Sequence, residues 1–319
     1  MRLALAMLTD QHGYPLARYA MASALLTQTE AFYPHLFVNG WDGPGPDDTV
    51  LALARRLGKP IEVTRLRDDP LAAMTLKTAA HITPTAYGKF AALETLADRY
   101  DIAVYADTDI LFFDPISVST IDFRGNAIAA VNDLADCNAG AFYQLQVHHP
   151  DRTHRHYFNS GLIAFDFRNF DMHAMRETYL ANCVRHQSGC PIYVRCTTAD
   201  QCPFNLTFAG NWVALPLAWN MQTFALHTSA WATASVRHYT GARKFLPVQA
   251  RRADRRERDF LARIAAALGE APPRSWPGMG LVYWANSVRR SHARGLAEAA
   301  VARIETEMSN RSAEPAIPA

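Results

Sequence analysis

Three short strand-like stretches separated by two helical patterns open this chain and restrict the folds available to it. Leu3–Leu8 is apolar throughout, Leu36–Val38 repeats the character, and Ile61–Leu66 reads as a third strand. Runs of this length read as short strands, buried on both faces where they are continuous. Between them, Leu16–Leu26 and Val50–Leu57 carry apolar residues at helical spacing, the first behind Pro15, which suits a helix start. Strand–helix–strand–helix–strand is the rhythm of an α/β protein with a doubly wound, mostly parallel sheet and flanking helices. Ligands of such sheets lie beyond the carboxyl ends of the strands, which places Asp10, just after the first strand, in the expected cleft. A helix N-terminal acid is the competing reading of Asp10.

The stretch Val104–Phe113 carries the chemistry. An apolar run meets Asp107, Thr108 and Asp109 and then turns apolar again. Side chains alternate along an extended chain, so the two carboxylates project to one side. Like charges held together in an apolar setting repel, and each is costly to desolvate. A hard divalent cation, Mn²⁺ or Mg²⁺, relieves both problems and keeps positions open for phosphate oxygens. Before this run, Tyr87–Tyr100 reads as a helix with Lys89 near its start, where a cation opposes the helix dipole. That conflict fits a residue placed for an anionic ligand; a solvated lysine is the alternative.

Later segments follow the same grammar. Ala127–Val131 reads as a strand with Asp133 after its carboxyl end, and Tyr157–Phe165 as a buried strand broken by Asn159-Ser160-Gly161. Such a break suggests a bulge or a ligand's close approach. Asp171–His186 reads as a helix, and Asp200-Gln201 opens another, with Asp200 also readable as its N-terminal cap. Trp212–Leu215 and Ser235–Tyr239 are further expected strands. The histidines at 148, 149, 154 and 156 read as part of a loop over the cleft and not as a zinc site.

The charge balance excludes nucleic acid as the expected partner. The net charge of the 319 residues is only +2, but residues 243–319 hold fourteen Lys/Arg against eight Asp/Glu. Residues 247–308 read as a basic helical extension: an arginine-rich helix from Arg251 to Leu268, then Leu281–Met308. Basic residues beside Tyr283 and Trp284 fit an interfacial helix on anionic lipid; a helical cap packed on the domain fits equally. Residues 309–319 read as a disordered tail. Five cysteines without a C-x-x-C pair argue against a zinc site and against a full disulfide framework, so the spacing of Cys190, Cys196 and Cys202 reads as accidental. A reducing cytosol is the simplest compartment, and no apolar run reaches membrane-spanning length.

Four patches stand in a telling order: Tyr105–Asp109, Phe158–Gly161, Asp200-Gln201, and His238 to Lys244 with Gly241 between them. Together they resemble glycosyltransferase family 8, over roughly residues 1–246. The resemblance implies a GT-A fold and retaining transfer of a hexose from a nucleotide-sugar donor, usually a UDP-sugar, with Mn²⁺. It implies Asp107, Asp109 and His238 as metal ligands, with Gly241 and Lys244 at the diphosphate. Asp10 and Lys89 are implied near the donor, and Asp133, Asn159, Asp200 and Gln201 around the transferred sugar. It also implies a glycan or glycolipid acceptor. The cysteine usage and the basic extension, which carries none of the resemblance, place the expected work in the cytoplasm with peripheral contact at the inner face of the membrane. Lys244-Phe245-Leu246 departs from the family's usual Lys-Pro-Trp.

Other readings compete. A haloacid-dehalogenase-type phosphatase also carries Asp-x-Asp after a strand, but usually the first one. A nucleotidyltransferase would need a Gly-rich basic loop after the first strand, which this chain lacks. A non-catalytic nucleotide-sugar-binding protein is the remaining alternative.

Overall fold

The computed structural model describes residues 1–41, 45–46, 48–66, 84–134, 157–192, 196, 199–226, 228–241, 244–246, 248–249, 253–273, 275–276 and 287–312. The expected βαβαβ start is present: β1 (Leu3–Thr9), α1 (Tyr14–Thr27), β2 (Tyr33–Val38), α2 (Asp48–Arg56) and β3 (Glu62–Arg65). Then follow α3 (Lys89–Ala97), β4 (Ile102–Ala106), β5 (Ile110–Phe112), β6 (Ile128–Asn132) and β7 (Phe158–Asp166). Next come α4 (Met172–Ser188), α5 (Gln201–Thr207), β8 (Trp212–Ala214), β9 (Met221–Gln222), α6 (Ser229–Thr233) and β10 (Val236–His238). The chain ends with β11 (Val248–Gln249), α7 (Arg255–Leu268), β12 (Ser275–Trp276) and α8 (Ser287–Ser312).

Seven strands form the central sheet in the order β3-β2-β1-β4-β7-β6-β8. All neighbours are parallel except at β7, which runs antiparallel between β4 and β6. The alternation along β1 shows why both faces are covered. Leu3, Leu5 and Met7 enter one core with α1, α2 and α7, while Ala4, Ala6 and Leu8 enter the other with Phe90, Tyr179 and Phe204. This is the doubly wound, mostly parallel arrangement that the strand–helix rhythm predicts, and it accords with the GT-A fold that the resemblance implies.

A small second sheet, β5-β10-β9, hangs from the end of β4. Its antiparallel pairing sets His238 opposite Ile110, and the Tyr239 amide donates to the Asp109 carbonyl at 2.9 Å. Some 129 positions along the chain separate Asp109 from His238, and this pairing closes them so that the end of β10 meets the Asp-x-Asp turn.

The basic extension is helical and built onto the core. In α7, Phe260, Leu261 and Ile264 join the main hydrophobic cluster, and Asp254 caps the helix by accepting from the Glu257 amide. In α8, Ala297, Ala300, Val301 and Ile304 are buried, and the last three join the same cluster. That spacing is a helical seam, so this half of α8 is a packed cap. The Tyr283-Trp284 segment and the histidine-bearing loop lie outside the described residues. No described helix is long and apolar enough to cross a membrane.

Candidate active site

β4 delivers Asp107 and Asp109 to the carboxyl edge of the sheet, and β10 brings His238 to them. His238 Nε2 stands 3.1 Å from Asp109 Oδ1 and 4.0 Å from Asp107 Oδ2. One ligand atom from each of the three residues lies within 4.8 Å of the others.

The ring's other nitrogen determines what this convergence means. His238 Nδ1 lies 3.0 Å from Asn159 Oδ1 and 3.1 Å from Asn220 Oδ1. The Asn159 amide is oriented by its own bonds: Oδ1 accepts from the Gly161 amide, and Nδ2 donates to Asp133 Oδ2 at 3.0 Å. Two oxygens at Nδ1 fix a proton on that nitrogen, so that Nε2, the nitrogen facing the carboxylate oxygens, would be the one to offer a lone pair to a bound cation. Convergent lone pairs of one imidazole and two carboxylates fit a divalent cation of the Mn²⁺ or Mg²⁺ type.

Electrostatics separate the two aspartates. Burial raises the Asp107 carboxyl above its ordinary value, against the pull of Lys89, and the neighbouring Asp109 charge adds to the rise. For Asp109 burial acts in the same direction, but His238 and Lys244 outweigh it and hold the carboxyl below the usual range. Lys244 Nζ pairs with Asp109 Oδ2 and donates to the Tyr239 carbonyl at 3.1 Å.

Lys89 is only 2% exposed. Its ammonium lies 3.0 Å from Asp107 Oδ1 and 2.8 Å from Asp200 Oδ2, and donates to the Ser160 carbonyl at 3.2 Å. Burial disfavours the charge, yet the two carboxylates more than compensate and keep Lys89 protonated well above its usual range. Its position against the helix dipole is therefore set by anions of the protein itself. Lys89 joins the metal-side strand to the start of α5.

Asp200 occupies the N-cap position of α5 without capping it. Its Oδ2 instead faces Lys89 and accepts from Ser160 Oγ at 3.3 Å, so the simple-cap reading does not describe it. Gln201 Oε1 accepts from Asn159 Nδ2 and the Ser160 amide, both at 3.1 Å, and its Nε2 donates to Asp133 Oδ2 at 3.0 Å. The Asn159-Ser160-Gly161 break thus serves as a hub for Asp133, Asp200, Gln201 and His238.

Two expected residues stand apart from this hub. Asp10 accepts from the Gly13 amide at 2.7 Å and from Thr85 Oγ1 at 3.2 Å, tying down the turn before α1. Gly241 has φ +82°, a left-handed conformation that glycine adopts freely. Asn220 was not singled out from the sequence as a functional residue, and an isolated asparagine carries no local signal. A second cluster, His186 with Cys190, Cys196 and Cys202, gathers behind α5; the regular cysteine spacing is not accidental in space.

The model of the glycosyl transferase family 8 family matches residues 9–245. No curated protein sequence matches the chain. Among solved structures, an active-site glutamine-to-glutamate variant of LgtC is 18% identical, with a TM-score of 0.63 over 84% of this chain and 97% of that one. The galactosyltransferase LgtC with donor and acceptor sugar analogs is 19% identical, with a TM-score of 0.61 over 86% and 98%. The glycosyltransferase GlyE of Streptococcus pneumoniae TIGR4 is 14% identical, with a TM-score of 0.56 over 86% of this chain and 67% of that one. At these identities the likeness is one of fold.

Proposed function

The chain belongs to glycosyltransferase family 8, and from that premise we propose that it moves a hexose from a UDP-sugar to a hydroxyl of a glycan or glycolipid, with retention of anomeric configuration and in dependence on Mn²⁺. The observation that carries the reading is His238 Nε2 converging with the Asp109 and Asp107 carboxylates on a site bordered by Lys244. Asp107, Asp109 and His238 are the residues that would hold the ion. When bound, the ion supplies positive charge where the leaving diphosphate gains negative charge. Lys244 stands beside Asp109 as the side-chain cation available to the same phosphate oxygens, and Gly241 lets the backbone approach them.

In the transfer, the bond from the anomeric carbon to the diphosphate oxygen breaks and the bond from that carbon to the acceptor oxygen forms. The acceptor's proton passes to the departing phosphate oxygen, so both occur on one face of the sugar. Gln201 is ill suited to be a nucleophile, because an amide oxygen is weakly nucleophilic and this one already accepts two hydrogen bonds. Asp200, Gln201, Asp133 and Asn159 position the sugar and stabilise its developing positive charge, while Lys89 acts on the donor site by fixing Asp107 and Asp200. Two facts support this assignment: the LgtC variant above alters an active-site glutamine, and LgtC was solved with donor and acceptor sugar analogs. Asp10 is assigned to the nucleoside end. Residues 1–246 form the transferase unit, and the basic extension at 247–308 fits a cytoplasmic protein facing anionic lipid.

A panel of sugar nucleotides with and without Mn²⁺, read by thermal shift and by slow donor hydrolysis, tests the reading. One UDP-hexose is expected to stabilise the protein and release UDP only with the ion. Absence of a Mn²⁺-dependent response to every sugar nucleotide overturns it.

A further inference from the structure

His186 lies in the last turn of α4, Cys190 follows its C-cap Gly189, Cys196 lies in the connection, and Cys202 is the second residue of α5, directly after Gln201. The sequence offers no C-x-x-C pair here, but the turn from α4 into α5 folds the four side chains onto one point. One nitrogen and three sulfurs from these residues lie within 4.8 Å of one another. His186 Nε2 is 3.1 Å from Cys196 Sγ, and Cys196 Sγ is 3.6 Å from Cys202 Sγ. Tetrahedral zinc, with Zn–S near 2.3 Å and Zn–N near 2.05 Å, requires sulfur–sulfur edges of about 3.8 Å and sulfur–nitrogen edges of about 3.5 Å. These two edges therefore lie within a few tenths of an ångström of the required tetrahedron.

The surroundings match a closed, structural metal site. The Ile192 amide donates to Cys190 Sγ at 3.4 Å, and the Tyr157 hydroxyl stands 3.1 Å from Cys202 Sγ. Such outer partners stabilise thiolates that carry a metal. Tyr157, Ile192, Cys202 and Leu206 form a small apolar cluster of their own, with Cys190 and Cys196 packed against it. His186 and Cys202 are buried and Cys190 and Cys196 half-buried, and four protein ligands leave no open position for substrate. A disulfide explains less: a sulfur–sulfur bond spans only about 2.05 Å and would use two of the four groups.

We propose that His186, Cys190, Cys196 and Cys202 bind a structural zinc ion that fastens the segment bearing Asp200 and Gln201 to the end of α4. A strained residue in the same segment gives the fastening a task. Ala199, next to Asp200, has φ +42°, in the left-handed region, a conformation a non-glycine residue keeps only where its surroundings impose it. Zinc binding stands independently of the sugar-transfer reading, because its ligands are distinct from the Asp107, Asp109 and His238 set.

The test uses the full chain, purified under reducing conditions without chelator. Elemental mass spectrometry is expected to find one zinc per chain, released to a chromophoric chelator only as a mercurial titrates the thiols. Chain loaded with cobalt is expected to show the intense visible bands of tetrahedral thiolate coordination and thiolate-to-cobalt charge transfer in the near ultraviolet. Cys196→Ser and His186→Ala are expected to lose the metal, while Cys183→Ala and Asp109→Asn keep it. The cobalt spectrum of the unmutated chain decides the matter if the cysteine variants do not fold. Folded, reduced chain that takes up neither zinc nor cobalt overturns the proposal, as does a Cys196–Cys202 disulfide in the freshly isolated protein.

Discussion

The Gly161 backbone presses against the imidazole of His238: a Cβ at residue 161 would stand 2.1 Å from Cε1 and 2.5 Å from Nδ1. The ring has little room to retreat, because Asn159 and Asn220 hold Nδ1 from the other side. The glycine of the Asn-Ser-Gly break is therefore required for space. Gly161→Ala should displace the imidazole and weaken Mn²⁺ binding by about 10–100-fold, the usual cost of disturbing a ligand's orientation. Titration calorimetry with Mn²⁺ and the responding sugar nucleotide measures this; unchanged affinity would show that the ion does not rest on His238.

Two lysines border the same carboxylates but differ in burial, and their removal should separate stability from activity. Lys89 is enclosed between Asp107 and Asp200, so Lys89→Met leaves the buried Asp200 and the half-buried Asp107 without their shared cation and should cost about 3 kcal/mol in urea unfolding. Lys244 is partly exposed beside Asp109. Lys244→Ala should cost less stability than Lys89→Met, since Lys244 pairs with one carboxylate and Lys89 with two, while lowering kcat/KM roughly 10²–10³-fold, as loss of a transition-state donor does. Equal stability losses in the two variants would contradict the assignment.

Much of this arrangement was legible in the sequence, and the remainder failed for identifiable reasons. Continuous apolar runs gave β1, β2 and β4, because strands covered on both faces need no polar alternation. Asp107 and Asp109 were readable from their spacing, and His238 from its place before Gly241 and Lys244. The partners of Lys89 were not readable, since they depend on β7 running antiparallel between β4 and β6. The same crossing places Gly161 against His238. The histidine–cysteine cluster was missed because its spacing is set by the turn from α4 into α5 and not by a local hairpin. The packed half of α8 favours the cap reading over the lipid one for Ala297–Ile304, a choice that composition alone left open.

Gln201 donates to Asp133 and accepts from Asn159 and Ser160, so its amide is matched at both ends. Gln201→Glu keeps the shape but turns the donor end into a second acceptor facing the Asp133 carboxylate. Either the new carboxyl takes a proton, or the two charges separate and the hub loosens. Turnover with saturating donor should fall at least about tenfold, and rise again as pH is lowered toward the carboxyl's raised value. A pH-independent deficit would mean that the loss does not run through the contact between residue 201 and Asp133.

The strand that carries His238 is also anchored from behind. Arg237 is fully buried, with Asp254 at 2.7 Å and Glu257 at 3.5 Å, and its guanidinium lies 4.5 Å from the Phe113 ring centre. Burial raises the Glu257 carboxyl from the usual 4.5 to about 7, against the pull of Arg237. The folded state thus holds this proton more tightly than the unfolded chain does. Its contribution is fully present below pH 4.5 and is lost as pH rises through about 7. At about 1.36 kcal/mol for each unit, the span corresponds to roughly 3 kcal/mol. Glu257→Gln removes this proton linkage and leaves Arg237 its closer partner, Asp254. The variant should therefore gain on the unmodified protein by up to about 3 kcal/mol between pH 4.5 and 7.5, read from urea unfolding at each pH. A gap that stays constant across that range would mean that Glu257 is ionised throughout, and that its ion pair with Arg237 is what holds α7 against β10.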